Sequence, residues 1–293
     1  MKTMMKRKSE APAGGRRELR VARSCGMDAE VRSALGKLEE LAGAGGRVAV
    51  AGEFMPDGGV SARLAQLGVD EGVGEGDFFG YRQIVIPFAG VGPKQRKRWE
   101  EGGCAVTDLS SQLVRRAQVA LGLLRMEGAQ PLVIGRHDDP ETRALAATVA
   151  GTRVIEDTTD TARLAFAPAF GVVCQTTLSP RRTAWLFDQL RMRYRDARVT
   201  FLSTTAPAMR AREEALEAAL AGPEATVVVV GRPGEASVEA LAETAWRKGC
   251  AAMIAPDAES LDHRSLAGVR RLVLTAGAFA TDAAVCAVYR ALR

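Results

Sequence analysis

Ten short apolar runs punctuate this chain, and longer helix-like segments lie between them. The runs are 47–54, 83–89, 105–108, 131–135, 153–156, 171–174, 199–202, 226–230, 251–254 and 271–274. Each is apolar almost throughout rather than alternating, as a strand buried on both faces must be. The helix-like segments are 29–42, 112–126, 140–150, 181–194, 208–221, 237–248 and 281–292. Strands that alternate with helices form parallel sheets covered by helices, so the predicted class is α/β with mainly parallel sheets. A chain of 293 residues is long enough for more than one such unit.

The loops repeat a pattern in which a strand ends, a Gly/Pro/Asp cluster follows and a helix starts. Asp138-Asp139-Pro140-Glu141 and Gly231-Arg232-Pro233-Gly234-Glu235 are two examples. In the first, an Asp cap precedes a Pro suited to the first helical turn. Ligands of open α/β sheets bind beyond the carboxyl ends of strands, so these loops are where a site is expected. His137, one of two histidines, stands at such an end. Imidazole as a side-chain type suits proton transfer near neutrality, which makes this residue a candidate general acid or base.

The net charge of +5 belongs to the N-terminus: residues 1–23 carry +6 and the remainder −1. A near-neutral body with no basic stripe argues against a nucleic-acid partner. Residues 1–24 read as a basic disordered tail. No apolar run approaches a membrane span of about 20 residues, and no apolar segment follows the basic start as in a signal peptide. The expected location is the cytoplasm. Cysteines 25, 104, 174, 250 and 286 include no CxxC pair and are expected as reduced thiols. The chain contains no P-loop, Gly-x-Gly-x-x-Gly, HExxH or Gly-x-Ser-x-Gly motif.

Four stretches, in this order and spacing, resemble one enzyme family. They are Gly135-Arg136-His137-Asp138-Asp139-Pro140-Glu141, Gln175-Thr176-Thr177-Leu178-Ser179, Thr204-Thr205-Ala206-Pro207-Ala208 with Arg212 after it, and Thr275-Ala276-Gly277-Ala278. The family is the 4-hydroxy-3-methylbut-2-enyl diphosphate reductases, LytB or IspH. The resemblance covers about residues 25–293. It implies three similar α/β units around a central cavity, here 25–111, 112–205 and 206–293. It also implies an iron–sulfur cluster held by one cysteine from each unit.

The matching positions depart from that pattern. Where the family has its three cluster cysteines, this chain has Asp28, Ser111 and Ala206. No 4Fe–4S cluster is therefore expected. The family's diphosphate-binding positions become Pro56, Gly90, Asp139, Glu235, Ser237 and Phe279. Glu141 aligns with the family's proton-donating glutamate and Thr176 with the threonine that binds the substrate hydroxyl.

Glu141, Thr176 and His137 are thus the catalytic candidates. Asp108, Ser111, Thr177, Glu235, Ser237 and Phe279 are the substrate-binding candidates. Asp138 and Asp139 are candidate Mg²⁺ ligands, since carboxylates bind Mg²⁺ and Mg²⁺ bridges phosphates. A cationic substrate would suit the same carboxylates without metal.

Three functions stay open at this point. One is an enzyme working without the cluster on a small metabolite, an isoprenoid-type diphosphate among the candidates. The second is a non-catalytic binding protein, and the third a true reductase with relocated cluster ligands. The sequence fixes no oligomeric state.

Overall fold

The computed structural model describes residues 17–74, 76, 80–220, 222 and 224–293. The chain runs β1 (Glu18–Val21), α1 (Ala29–Gly43), β2 (Val48–Val50), α2 (Gly58–Gln66), β3 (Val69–Asp70), β4 (Gln83–Ile86), α3 (Pro93–Glu101), β5 (Ala105–Asp108) and α4 (Gln112–Met126). It continues with β6 (Gln130–Ile134), α5 (Pro140–Ala146), β7 (Arg153–Ile155), α6 (Thr158–Arg163), β8 (Ala169–Cys174), α7 (Pro180–Arg193) and β9 (Arg198–Phe201). The last part is α8 (Pro207–Ala219), β10 (Ala225–Val230), α9 (Ala236–Arg247), β11 (Ala251–Ala255), β12 (Arg271–Ala276) and α10 (Asp282–Leu292).

The strands make three four-stranded sheets in the orders β3-β2-β4-β5, β7-β6-β8-β9 and β11-β10-β12-β1. Every pairing is parallel. The class is α/β, as the alternation predicts. The central strands are buried on both faces: Val48–Val50, Leu132 to Ile134 and Val227 to Val230 are at most 2% exposed. That burial is why they read as continuous apolar runs.

All three sheets share one order. Numbered within its unit, each reads 2-1-3-4. In the third sheet the fourth place is taken by β1, which comes from the other end of the chain and pairs with β12 from Glu18↔Arg271 to Val21↔Leu274. This corrects the expectation of a tail through residue 24. Residues 18–21 are an edge strand, and the part of that expectation covering residues 1–16 lies outside the described residues.

Each of the ten expected runs contains a strand. Beyond β1, the two-residue β3 and the helices α2, α3 and α6 lie outside the predicted elements. Helix α3 buries only Trp99, so it has no apolar stripe to announce it. Helix α5 stops at Ala146, short of the expected residue 150. Among the described residues, no helix is long and apolar enough to cross a membrane.

Candidate functional site

In a 2-1-3-4 parallel sheet the connections diverge between strands 1 and 3, which opens a crevice at their carboxyl ends. This chain has three such points: β2/β4, β6/β8 and β10/β12. The loops after these six strands meet around one cavity of about 230 Å³. The loop after β2 brings Glu53 to Pro56, and that after β4 brings Phe88 and Ala89. The loop after β6 brings Asp138 to Glu141, and that after β8 brings Thr177. The loops after β10 and β12 bring Arg232 to Glu235 and Phe279. A wider groove of about 860 Å³ lies along α7 between Trp185 and Val199. That groove sits at the amino end of β9, where no strand delivers a loop, so the central cavity is the candidate site.

Glu141 is in the first turn of α5, whose cap is Asp139; Asp139 accepts from the Glu141 N–H at 2.8 Å. The two Glu141 oxygens accept from Thr176, one from its N–H at 2.6 Å and the other from its hydroxyl at 2.8 Å. Glu141 is buried, and burial reinforced by the Asp139 charge pushes its pKa up to about 8 despite those bonds. Burial also raises Asp139. A carboxylic acid still protonated near neutrality, bonded to a hydroxyl, can pass a proton to a ligand. Beside it, the buried Gln175 amide donates to the Thr177 hydroxyl at 2.9 Å. Its carbonyl accepts from the Arg136 N–H and the Thr142 hydroxyl, both at 3.1 Å, so Thr177 is held at the cavity wall.

The second buried carboxyl is Glu235, the N-cap of α9. One of its oxygens accepts from the Ser237 hydroxyl, which in turn accepts from the Ala278 N–H at 2.8 Å. The other oxygen is buried without a hydrogen-bond partner. Burial pushes this pKa up to about 7, against the pull of Ser237, Arg212 and Arg232. Gly231, at φ 145°, and Gly277 make the room: a Cβ on them would lie 3.4 Å and 2.9 Å from the carboxyl oxygens. Opposite these acids the lining is apolar. Phe279 meets Phe88 edge to face at 5.7 Å and 86°, beside Phe54 and Met55.

Six of the candidate site residues line this cavity: Asp138, Asp139, Glu141, Thr177, Glu235 and Phe279. Thr176 and Ser237 join through their bonds to the two glutamates. The others go elsewhere. His137 bonds Asp160 at 2.8 Å and lines a separate groove with Arg153 and Phe166. Asp108 ends β5, a fourth strand rather than a divergence point. It is held by Arg96 at 2.8 Å and Arg115 at 3.5 Å. Although burial works to raise it, Ser110 and the two arginines keep its carboxyl below the ordinary value.

The Mg²⁺ expectation also meets other partners. Asp138 lies on the rim, largely exposed, in an ion pair with Arg136, and Asp139 is occupied as the α5 cap. Among the described residues, no group of three or more His, Cys, Asp or Glu side chains is arranged to hold a metal. Outside the predicted site residues, the cavity also holds the ion pair of Glu53 with Arg232, at 2.6 and 2.8 Å, and the aromatic wall of Phe54 and Phe88. The position of these residues just past β2 and β4 was the available signal.

The three positions aligned with cluster cysteines are topologically equivalent. Asp28, Ser111 and Ala206 each follow the fourth strand of a sheet and cap the next helix, α1, α4 and α8. Asp28 is bound by Arg212, which is 2% exposed and also donates to the carbonyls of Ala276 at 2.9 Å and Gly26 at 2.7 Å. Ser111 accepts from the Leu113 N–H and donates to Glu30, both at 3.2 Å. Ala206 has no side-chain donor atom, and its N–H goes to the Thr176 carbonyl at 2.8 Å. Cys174 is buried between the Thr204 and Thr205 hydroxyls, at 3.4 and 3.3 Å. Cys25 packs into the third unit's core, where burial pushes its thiol up to about 11.

Comparison with known proteins agrees with this architecture. A family model described as LytB protein matches residues 19–293. The chain is similar to 4-hydroxy-3-methylbut-2-enyl diphosphate reductase 2 of Burkholderia mallei, 28% identical over 72% of this chain and 65% of the relative. It is also similar to the reductase of Methylibium petroleiphilum, 30% identical over 72% and 64%. The aligned part thus spans just under two thirds of these relatives' length. In fold it resembles the E-1-hydroxy-2-methyl-but-2-enyl-4-diphosphate reductase of Plasmodium falciparum. That similarity has a TM-score of 0.85 at 17% identity and covers 94% of this chain and 87% of that one.

Proposed function

The chain belongs to the LytB family, and from that premise we propose that it is a member working without an iron–sulfur cluster. In this reading it binds a small, partly apolar metabolite in the central cavity and moves a proton with Glu141. The observation that carries it is the state of the three equivalent helix caps. A cluster is anchored by thiolates, and these caps offer a carboxylate already paired with Arg212, a serine closing its own helix and an alanine. Such residues do not fit the cluster. Neither Cys25, in the third unit's core, nor Cys174, hydrogen-bonded to two threonines, makes a three-thiolate set with another cysteine at the caps.

The proton chemistry falls to Glu141 and Thr176. Each Glu141 oxygen has one Thr176 donor, which fixes the carboxyl plane at the wall. With a pKa of about 8, Glu141 is protonated at neutral pH and serves as the acid. Its conjugate base, stabilised by the two Thr176 bonds, takes the proton back. Asp139 is committed to capping α5, so acid/base chemistry is favoured over Mg²⁺-assisted chemistry. A bare diphosphate meets Asp139 and Glu235 where cationic donors would be needed, and like charges repel strongly where water is scarce.

The test is an anaerobic reductase assay with 4-hydroxy-3-methylbut-2-enyl diphosphate and a chemical electron donor, after attempted cluster reconstitution. No turnover is expected. Turnover at a family enzyme's rate would overturn the proposal.

A further inference from the structure

In the polar half of the cavity each arginine makes its direct ion pair with a carboxylate other than Asp139, Glu141 or Glu235. Arg232 is held in a two-point ion pair by Glu53, and Arg136 is paired with Asp138. The Arg212 guanidinium is engaged by Asp28 and two carbonyls. Asp139, Glu141 and Glu235 are left without a cationic partner in contact. Asp139 is satisfied by helix N–H groups and Glu141 by Thr176. Glu235 is different: it is 8% exposed, it lines the cavity, and one of its oxygens is buried with no hydrogen-bond partner. An orphaned buried carboxyl oxygen costs the fold several times the net value of an ordinary hydrogen bond. Here the notch that creates it is built by two glycines, Gly231 and Gly277, where a side chain would collide with the carboxyl or with Ser237 and Val238.

We infer that the cavity's ligand carries a compact cationic head group, in the simplest case a primary ammonium, which donates to the free oxygen of Glu235 while its hydrocarbon part lies against Phe54, Phe88 and Phe279. The inference rests on the reading of the cavity as a ligand site and goes further by naming the ligand's class. An ammonium supplies the missing donor and offsets the Asp139 charge that acts on Glu235. At about 230 Å³ the space is below the roughly 300–1,000 Å³ of pockets for drug-sized ligands, so the molecule is small.

Three probes with one hydrocarbon group and different heads decide the matter: isopentylamine, isopentanol and isopentyl diphosphate, titrated by calorimetry near neutral pH without divalent metal. The amine should bind at least about tenfold more tightly than the alcohol, and the diphosphate should not bind. Glu235→Gln should weaken the amine about 10- to 100-fold, the range of a charge-assisted hydrogen bond, and leave the alcohol within about twofold. The wild-type ranking needs no variant, so a misfolded Glu235→Gln protein would not leave the inference untested. A tighter alcohol or diphosphate, or an amine affinity unchanged in Glu235→Gln, overturns the cationic class but leaves the cavity as a ligand site. Failure of all three to bind at millimolar concentration overturns both.

Discussion

Replacing Glu141 by Gln should make the folded protein more stable at alkaline pH and leave it nearly unchanged in mild acid. Free glutamate titrates near 4.5, and burial beside Asp139 moves Glu141 to about 8. A carboxyl whose folded pKa is raised favours the fold while it stays protonated in both states, below the unfolded value. That contribution is lost as pH rises through the folded value. The loss is at most ~1.4 kcal/mol per pH unit, so up to about 3 kcal/mol between about pH 5.5 and 7.5. Glutamine keeps both Thr176 contacts, its carbonyl accepting from the N–H and its amide donating to the hydroxyl, and it cannot ionise.

Glu235, Asp139 and Glu213 are shifted in the same direction and slope the wild-type curve further. The lowered carboxyls, Asp108 and Asp160 among them, stabilise above their unfolded pKa and lose that effect only as pH falls, so they are silent in this window. The assay is urea unfolding of both proteins across the range. The wild type should lose stability with rising pH and Glu141→Gln should lose markedly less. Parallel curves, or a wild type that gains stability toward alkaline pH, would refute the reasoning.

Two structural predictions accompany it. Gly90 has φ 77°, and an added Cβ would meet a Val114 methyl at 2.9 Å, whereas Gly128, at φ 82°, has nothing within 4 Å. Both Gly→Ala variants should lose the ~1–2 kcal/mol of left-handed backbone, and Gly90→Ala a further ~1–3 kcal/mol for overpacking; equal losses in chemical denaturation would contradict the contact. Arg212→Met should cost about 3–5 kcal/mol because Asp28 and two carbonyls lose their buried donor, and a loss under about 1 kcal/mol would show that the arginine does not hold the Asp28 cap.

Much of the architecture was legible because two-sided burial writes itself as unbroken apolar runs, such as Val227 to Val230. What stayed hidden was long-range. The strand Glu18–Val21 has a largely exposed edge pattern and completes a sheet whose other strands begin at Ala225. Nothing local marks such a pairing.

The placement of the candidate site residues was legible in part. Glu141, Thr176, Glu235, Ser237 and Phe279 follow first or third strands of their units, or bond to residues that do. Asp108 and Ser111 were grouped with them because any loop after a strand looks alike in sequence. Only the sheet order separates a divergence point from a fourth-strand end. His137 does follow β6, but its ring turns outward to Asp160, a pairing set by the later helix α6.

The central claim is that this family member works without an iron–sulfur cluster, and the direct test is an absorption spectrum with an iron and sulfide assay on protein purified and reconstituted without oxygen. No broad visible iron–sulfur absorption and no stoichiometric iron or sulfide are expected. A stable cluster whose band disappears in Cys25→Ser or Cys174→Ser would contradict it.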